Sequence, residues 1–153
     1  MVKIVRSMGM VGVRAAVGPT VVIDTFRAFT TAAVAADRGV ALHVLAGSTD
    51  EARRIAASFD EPVLCGEVDG VRPDDFDLGN SPWDMAQYPI DGRTLVQATS
   101  SGTRCVVAAI RAGAAPVFAA AAVTASATAQ AIADDAESVT IVAAGLGGLE
   151  PSD

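Results

Sequence analysis

Short apolar runs alternate with alanine-rich helical stretches along most of the chain. Thr20-Val21-Val22-Ile23 reads as a buried strand, Ala28 to Arg38 as a helix closed by Gly39, and Ala41 to Leu45 as the next strand. Ser48-Thr49-Asp50-Glu51 has the form of a capping box and predicts a helix to about Ser58, followed by a strand at Val63-Leu64-Cys65. Gly66 to Pro82 is loop-like and acidic, with Ser81-Pro82 placed to start a short helix as N-cap and first helical residue. The pattern then recurs, with strands at Thr94–Gln97, Pro116–Ala119 and Val139–Val142. Helices are predicted at Thr103–Ala112, ending at Gly113, and at Thr124–Asp134.

Strand-helix alternation of this kind predicts an α/β fold: a largely parallel sheet with helices on both faces, written as two degenerate β-α-β-α-β repeats. The halves run from about 20 to 75 and from about 94 to 153 within a single domain spanning 1–153. Val22 and Val96 share an offset of 74, while Gly70-Val71-Arg72-Pro73-Asp74-Asp75 and Gly148-Leu149-Glu150-Pro151-Ser152-Asp153 share one of 78. Corresponding loops of such a repeat are expected to meet near a pseudo-two-fold axis, where ligand clefts often form.

Charge narrows the partners. The chain carries 11 basic and 18 acidic residues, a formal charge of −7, and Lys3 is its only lysine. An acidic surface repels phosphate backbones, so no nucleic acid partner is expected. An anionic ligand must be met by local arginines, backbone amides or a metal. Cys65 and Cys105 stand in neither a CxxC nor a metal spacing, and the first 18 residues mix Lys3, Arg6 and Arg14 into apolar sequence. The expectation is a cytoplasmic chain with buried free thiols. Ala112 to Ala133 lacks charge over 22 residues, but it is mostly alanine and is interrupted by Gly113, Pro116 and four hydroxyl or amide residues. It predicts helix and strand, with no membrane partner.

Three segments can carry chemistry. In Ile23-Asp24-Thr25-Phe26-Arg27 a carboxylate stands at the carboxyl end of a buried strand, the ligand-binding end of open α/β sheets. Asp24 there can hold Mg²⁺ or act as a nucleophile, and Arg27 can clamp an anionic oxygen group. The plainer alternative is a helix cap salt-bridged to Arg27. Thr99-Ser100-Ser101-Gly102-Thr103-Arg104 also joins a strand to a helix and offers hydroxyls and first-turn amides to an anion. Cys65-Gly66-Glu67 is followed by Phe76-Asp77-Leu78-Gly79-Asn80-Ser81-Pro82, in which Asp77 and Asn80 mark an ordered loop, whereas Asp69, Asp74 and Asp75 read as solvated acids. His43, inside a strand, reads as a core or edge histidine.

Together these segments resemble the 2-phosphosulfolactate phosphatase family of coenzyme M biosynthesis. The matching pieces are Val21 to Ala28, Cys65-Gly66-Glu67, Gly70 with the Phe76–Pro82 run, and Thr99 to Arg104. The resemblance implies a Mg²⁺-dependent phosphatase acting on a small anionic phosphate ester. It implies catalytic roles for Asp24, Glu67 and Arg27, and Mg²⁺ ligands in Asp24, Glu67 and Asp77. Asn80, Ser81, Thr99, Ser100, Gly102, Thr103 and Arg104 would bind substrate. The chain departs from the family pattern at Val68 (usually Arg), Asp75 (usually Gly), Ser101 (usually Asn) and Ser152-Asp153 (usually Glu-Asp). The resemblance also leads to the expectation that the C-terminal part of longer relatives is lacking. These departures keep a second expectation open, a non-catalytic member serving as a small-anion-binding or structural α/β module. The small-residue helix Thr124–Asp134 reads as a buried element, so the expectation is either a homo-oligomer covering that flank or a truncated chain with weak activity.

Overall fold

The computed structural model describes residues 2–133 and 136–145. Among the described residues, seven strands form two sheets, parallel throughout. The four-stranded sheet has the order β1(Lys3–Met8), β7(Ser138–Ala143), β2(Thr20–Ile23), β6(Val117–Ala120). The three-stranded sheet has the order β3(Leu42–Ala46), β5(Thr94–Ala98), β4(Val63–Gly66). Six α-helices connect them: α1(Gly9–Arg14), α2(Ala28–Asp37), α3(Thr49–Ala56), α4(Pro82–Gln87), α5(Gly102–Arg111) and α6(Ala125–Ala133). The parallel, helix-flanked α/β architecture is the one the alternation predicts. The strands divide over two sheets, however, and β1 and α1 are elements that the apolar pattern did not announce.

That division has a rule. β2, the first strand of the first half, lies between β7 and β6, the third and second strands of the second half. β5, the first strand of the second half, lies between β4 and β3. Each half therefore lends its first strand to the other, and neither half forms a sheet alone. The registers follow the same rule. Thr20 pairs with Val117 as Thr94 pairs with Leu42, and Val21 pairs with Ile141 as Leu95 pairs with Val63. The first strands are thus offset by 74 and the third strands by 78, the two offsets seen in the sequence. The Gly148–Asp153 match lies outside the described residues.

The core sits in layers between the sheets and the helices. Val22, Val142 and Ala28 pack with Val13, Phe29, Cys105 and Val106 against α1, α2 and α5. Alternation along β5 sends Leu95 into a cluster with Ala35, Met85 and Ile90, and Val96 into one with Ala52, Ala56 and Phe76. Local chemistry sets the helix starts. The Ser48 hydroxyl accepts the Glu51 amide at 3.2 Å and the Ser81 hydroxyl accepts the Asp84 amide at 3.2 Å, caps worth about 1 kcal/mol each. The capping box is half formed, because the Glu51 carboxylate accepts the Gly47 amide at 2.9 Å rather than that of Ser48.

The expectation that the alanine-rich helix is buried is corrected. Ala125, Ser126, Ala127, Ala129, Gln130 and Ala131 of α6 are exposed, and only Thr128 and Ile132 are half-buried. Small side chains on all faces matched a buried helix, but α6 follows the edge strand β6 and makes few contacts with the rest of the fold. Its predicted end, Asp134, lies outside the described residues.

Candidate active site

The loops after β3, β4 and β5 open on one cleft of about 470 Å³, lined by Gly47, Ser48, Glu67, Thr99, Ser100 and Arg104 among others. This is the carboxyl end of the three-stranded sheet, and Glu67 is fixed there from two directions. One oxygen accepts the Ser100 amide at 2.8 Å; the other accepts the Gly70 amide at 2.6 Å and the Ser100 hydroxyl at 3.3 Å. The same hydroxyl accepts the Asp69 amide at 2.9 Å, so the loops after β4 and β5 are laced together through Glu67. Gly66 makes this approach possible: a Cβ there would overlap the Ala98 carbonyl oxygen.

Asp24 belongs to the other sheet and is not among the residues lining the cleft. It follows β2, and its carboxylate lies between the first turns of α2 and α5, where the amides of Ala28 and Gly102 donate to it. Burial pushes the Asp24 carboxyl above its ordinary range, Glu67's negative charge adds to that, and the amides oppose it. A Cβ on Gly102 would stand 2.6 Å from Asp24 Oδ2 and 3.1 Å from the Ala28 Cβ, so only glycine admits this contact. Ala28 and Gly102 are offset by 74. The helix starts of the two halves therefore meet at Asp24.

Asp24 forms no ion pair with Arg27 among the described residues, so the salt bridge of the plainer alternative is absent, while the Ala28 amide bond keeps its helix-capping half. Arg27 and Arg104 are exposed, and neither guanidinium is in an ion pair among the described residues. Thr99 and Thr103 brace each other: the Thr99 amide donates to Thr103 Oγ1 at 2.7 Å and the Thr103 amide to Thr99 Oγ1 at 3.2 Å. Their hydroxyls shape the loop that presents Ser100 and Arg104.

The Phe76–Pro82 run does a different job. Asp77 accepts the Leu64 amide at 2.8 Å, Leu78 bridges to Cys65, and Arg72 donates to the Phe76 and Asp77 carbonyls at 3.0 Å. This run clamps the edge of β4. Of the expected site residues, Glu67, Thr99, Ser100 and Arg104 line the cleft, whereas Asp24, Arg27, Asp77, Asn80, Ser81, Gly102 and Thr103 are not among its lining residues, and no group of three metal-binding side chains forms among the described residues. Asp75 binds Arg53 in a two-pronged pair at 2.7 and 2.9 Å.

Behind the cleft runs a buried polar chain. Gln97, at 0% exposure, accepts from His43 Nε2 at 3.0 Å and donates to the Ala28 carbonyl at 3.1 Å and to Asn80 Oδ1 at 3.4 Å. Gln97 thus ties β3, α2 and the Asn80 loop to the centre of β5. The sequence also left Gly47, Ser48 and Thr49 out of the site. They read as a helix cap, yet they too follow a parallel strand, and that position was the available signal.

The profile of the family described as 2-phosphosulpholactate phosphatase matches residues 12–151. The chain belongs to this family. It is similar to the probable 2-phosphosulfolactate phosphatase of Deinococcus radiodurans, 38% identical over 130 residues that cover 83% of this chain and 53% of that protein. The proteins of the same name from Thermus thermophilus and Bacillus subtilis are 38% and 37% identical over 59% and 60% of this chain, and over 37% and 40% of their own lengths. The chain spans about half, or less, of the length of these family relatives. Among the described residues, no helix is long and apolar enough to cross a membrane.

Proposed function

We propose that the cleft binds and hydrolyses a small anionic phosphate ester, 2-phosphosulfolactate or a close analogue, with Mg²⁺ as cofactor. The observation that carries this reading is the Glu67 carboxylate fixed in the cleft beside a hydroxyl- and amide-rich loop and Arg104, which is in no ion pair among the described residues, with the Asp24 carboxylate of the other sheet held against Gly102 of the same loop. The donor chemistry fits Mg²⁺. Both groups are oxygen ligands, their mutual repulsion is met by no ion pair among the described residues, and Mg²⁺ is commonly held by one or two carboxylates with substrate oxygens and water completing the shell. When bound, the ion would supply charge neutralisation at the phosphoryl oxygens.

The chain's own residues then have separable tasks. Glu67, held by three hydrogen bonds, presents its carboxylate in one orientation. Asp24, pinned by the amides of two helix starts, holds fixed negative charge at a distance set by the Ala28–Gly102 contact. Arg104 offers a planar donor fork to an anion entering the cleft. The test is phosphate release from carboxylated and sulfonated phosphate esters with Mg²⁺ and with EDTA. Mg²⁺-dependent release is expected.

One observation favours a second reading, an anion-binding family member without turnover. Val68 lines the cleft where the family pattern carries arginine. Ester binding without phosphate release at any Mg²⁺ concentration would select it.

A further inference from the structure

A second cavity, of about 390 Å³, opens beside the cleft and shares Gly47 and Arg104 with it. It is a groove between α1 and α5, with Met10 and Val107 in its apolar lining and Arg14, Arg104 and Arg111 as its charged residues. Among the described residues that line it, none is Asp or Glu. Three of the 11 basic residues of a chain with net charge −7 therefore face one groove.

Its geometry is linear. Residues 104, 107, 108 and 111 share one face of α5 at helical spacing, so the backbone rise from Arg104 to Arg111 is about 10 Å at roughly 1.5 Å per residue. Arg104 stands at the cleft end. Arg111 stands at the far end, in an ion pair with Glu51 (Nη2 to Oε1, 2.6 Å) that offsets part of its charge, and Glu51 is itself held by the Gly47 amide. Arg14, in the last turn of α1, is exposed and in no ion pair among the described residues.

We propose that this groove is a second anion subsite. It seats the distal charged group of an extended phosphate ester whose phosphoryl end lies in the cleft. The inference rests on the reading of the cleft as a phosphoryl site and adds to the small ester proposed above a second, longer class, esters bearing another anionic group about 10 Å from phosphorus and joined by a short apolar link. Arg14 and Arg111 take the distal group through guanidinium hydrogen bonds, Met10 and Val107 cover the link, and Arg104 is shared by both ends.

Calorimetric titration of the whole chain with two probes, hexane-1,6-diol bisphosphate and hexyl phosphate, tests this. The bisphosphate is expected to bind at least about 5-fold tighter, since truncating a charged partner of a close pair costs affinity on this scale or more. Arg14→Ala is expected to bring the ratio to about 1, Arg14→Lys to keep part of it, and Arg38→Ala, which removes the same charge at the far end of α2, to leave it unchanged. Circular dichroism checks that each variant is folded, and Arg14→Gln replaces Arg14→Ala if that variant is not. Equal affinity of the two probes for the wild-type chain overturns the subsite, as does a ratio indifferent to Arg14. If the ratio behaves as expected while no phosphate is released with Mg²⁺, the phosphatase reading falls and the subsite stands.

Discussion

Asp24 and Gly102 are fitted to each other: the Asp24 Oδ2 atom lies 2.6 Å from the place a Cβ on residue 102 would take. One residue ends the first strand of the first half, and the other starts the first helix of the second half. Their contact brings a carboxylate from one sheet to the loop that forms the cleft on the other.

Gly102→Ala tests the contact. An alanine in a first helical turn would ordinarily add up to about 1 kcal/mol of helix preference. Here it overpacks against Asp24 and Ala28, and a loss of about 1–3 kcal/mol is expected instead. Displacement of the α5 start should lower turnover by about 100-fold, measured as phosphate release beside thermal unfolding.

Asp24→Asn should separate stability from function. The raised pKa means that the folded chain holds the Asp24 proton more tightly than the unfolded chain, whose value is 3.8. Wild-type stability therefore includes a contribution that is present below pH 3.8 and is lost as pH rises through the higher folded value. The asparagine variant lacks this loss. In EDTA, its stability relative to wild type should increase with pH across that window, while Mg²⁺-dependent turnover falls by at least about 100-fold. A pH-independent difference, read from denaturant midpoints, would contradict the burial argument.

Gln97→Leu should be costly despite its similar volume. It removes the acceptor of the His43 N–H and the donor to Asn80 Oδ1 and to the Ala28 carbonyl, at about 1–3 kcal/mol for a buried group left unsatisfied. A shift in the urea midpoint at constant slope is the expected readout.

His43 supplies a spectroscopic check, because it is the chain's only histidine. Burial pushes its pKa below the ordinary 6.5, with the Gln97 hydrogen bond opposing. Between 6.5 and the lower folded value the unfolded chain binds more protons, so stability falls on acidification through that window. An NMR titration of the single imidazole should give a midpoint below 6.5.

The thiols should be silent in the native chain. Burial pushes Cys65 up to about 12, with Asp77's charge adding to it, and its Sγ donates to the Gly79 carbonyl at 3.2 Å. Cys105 is raised as well, first by burial. A disulfide-exchange reagent at pH 8 should label neither until denaturant is added.

Much of the fold was legible because its signals are local. The Val22–Val96 offset, Ser81-Pro82 as a helix start, and the strand-helix alternation each depend on a few neighbouring residues. The exchange of β2 and β5 between sheets was not legible, since parallel pairing leaves no mark within a strand that names its neighbour. The burial of α6 was misread for a related reason: alanine on every face describes a helix that can be buried, not one that is. In the site, Asp24, Glu67, Ser100 and Arg104 stood out as chemistry-bearing residues at strand ends. Asp77 stood out equally; like Asp24 it is not among the residues lining the cleft, and its carboxylate accepts the Leu64 amide, a bond that depends on where β4 lies. Gly47 to Thr49 were passed over because a helix cap explained them fully.

The central claim is that Asp24 and Glu67 act together on a phosphate ester. The direct measurement is phosphate release from 2-phosphosulfolactate at saturating Mg²⁺ by the wild-type chain, Asp24→Asn and Glu67→Gln. Mg²⁺-dependent release by the wild type, abolished by EDTA and by either substitution with the fold intact, is the predicted result. Wild-type rates in either variant would contradict it.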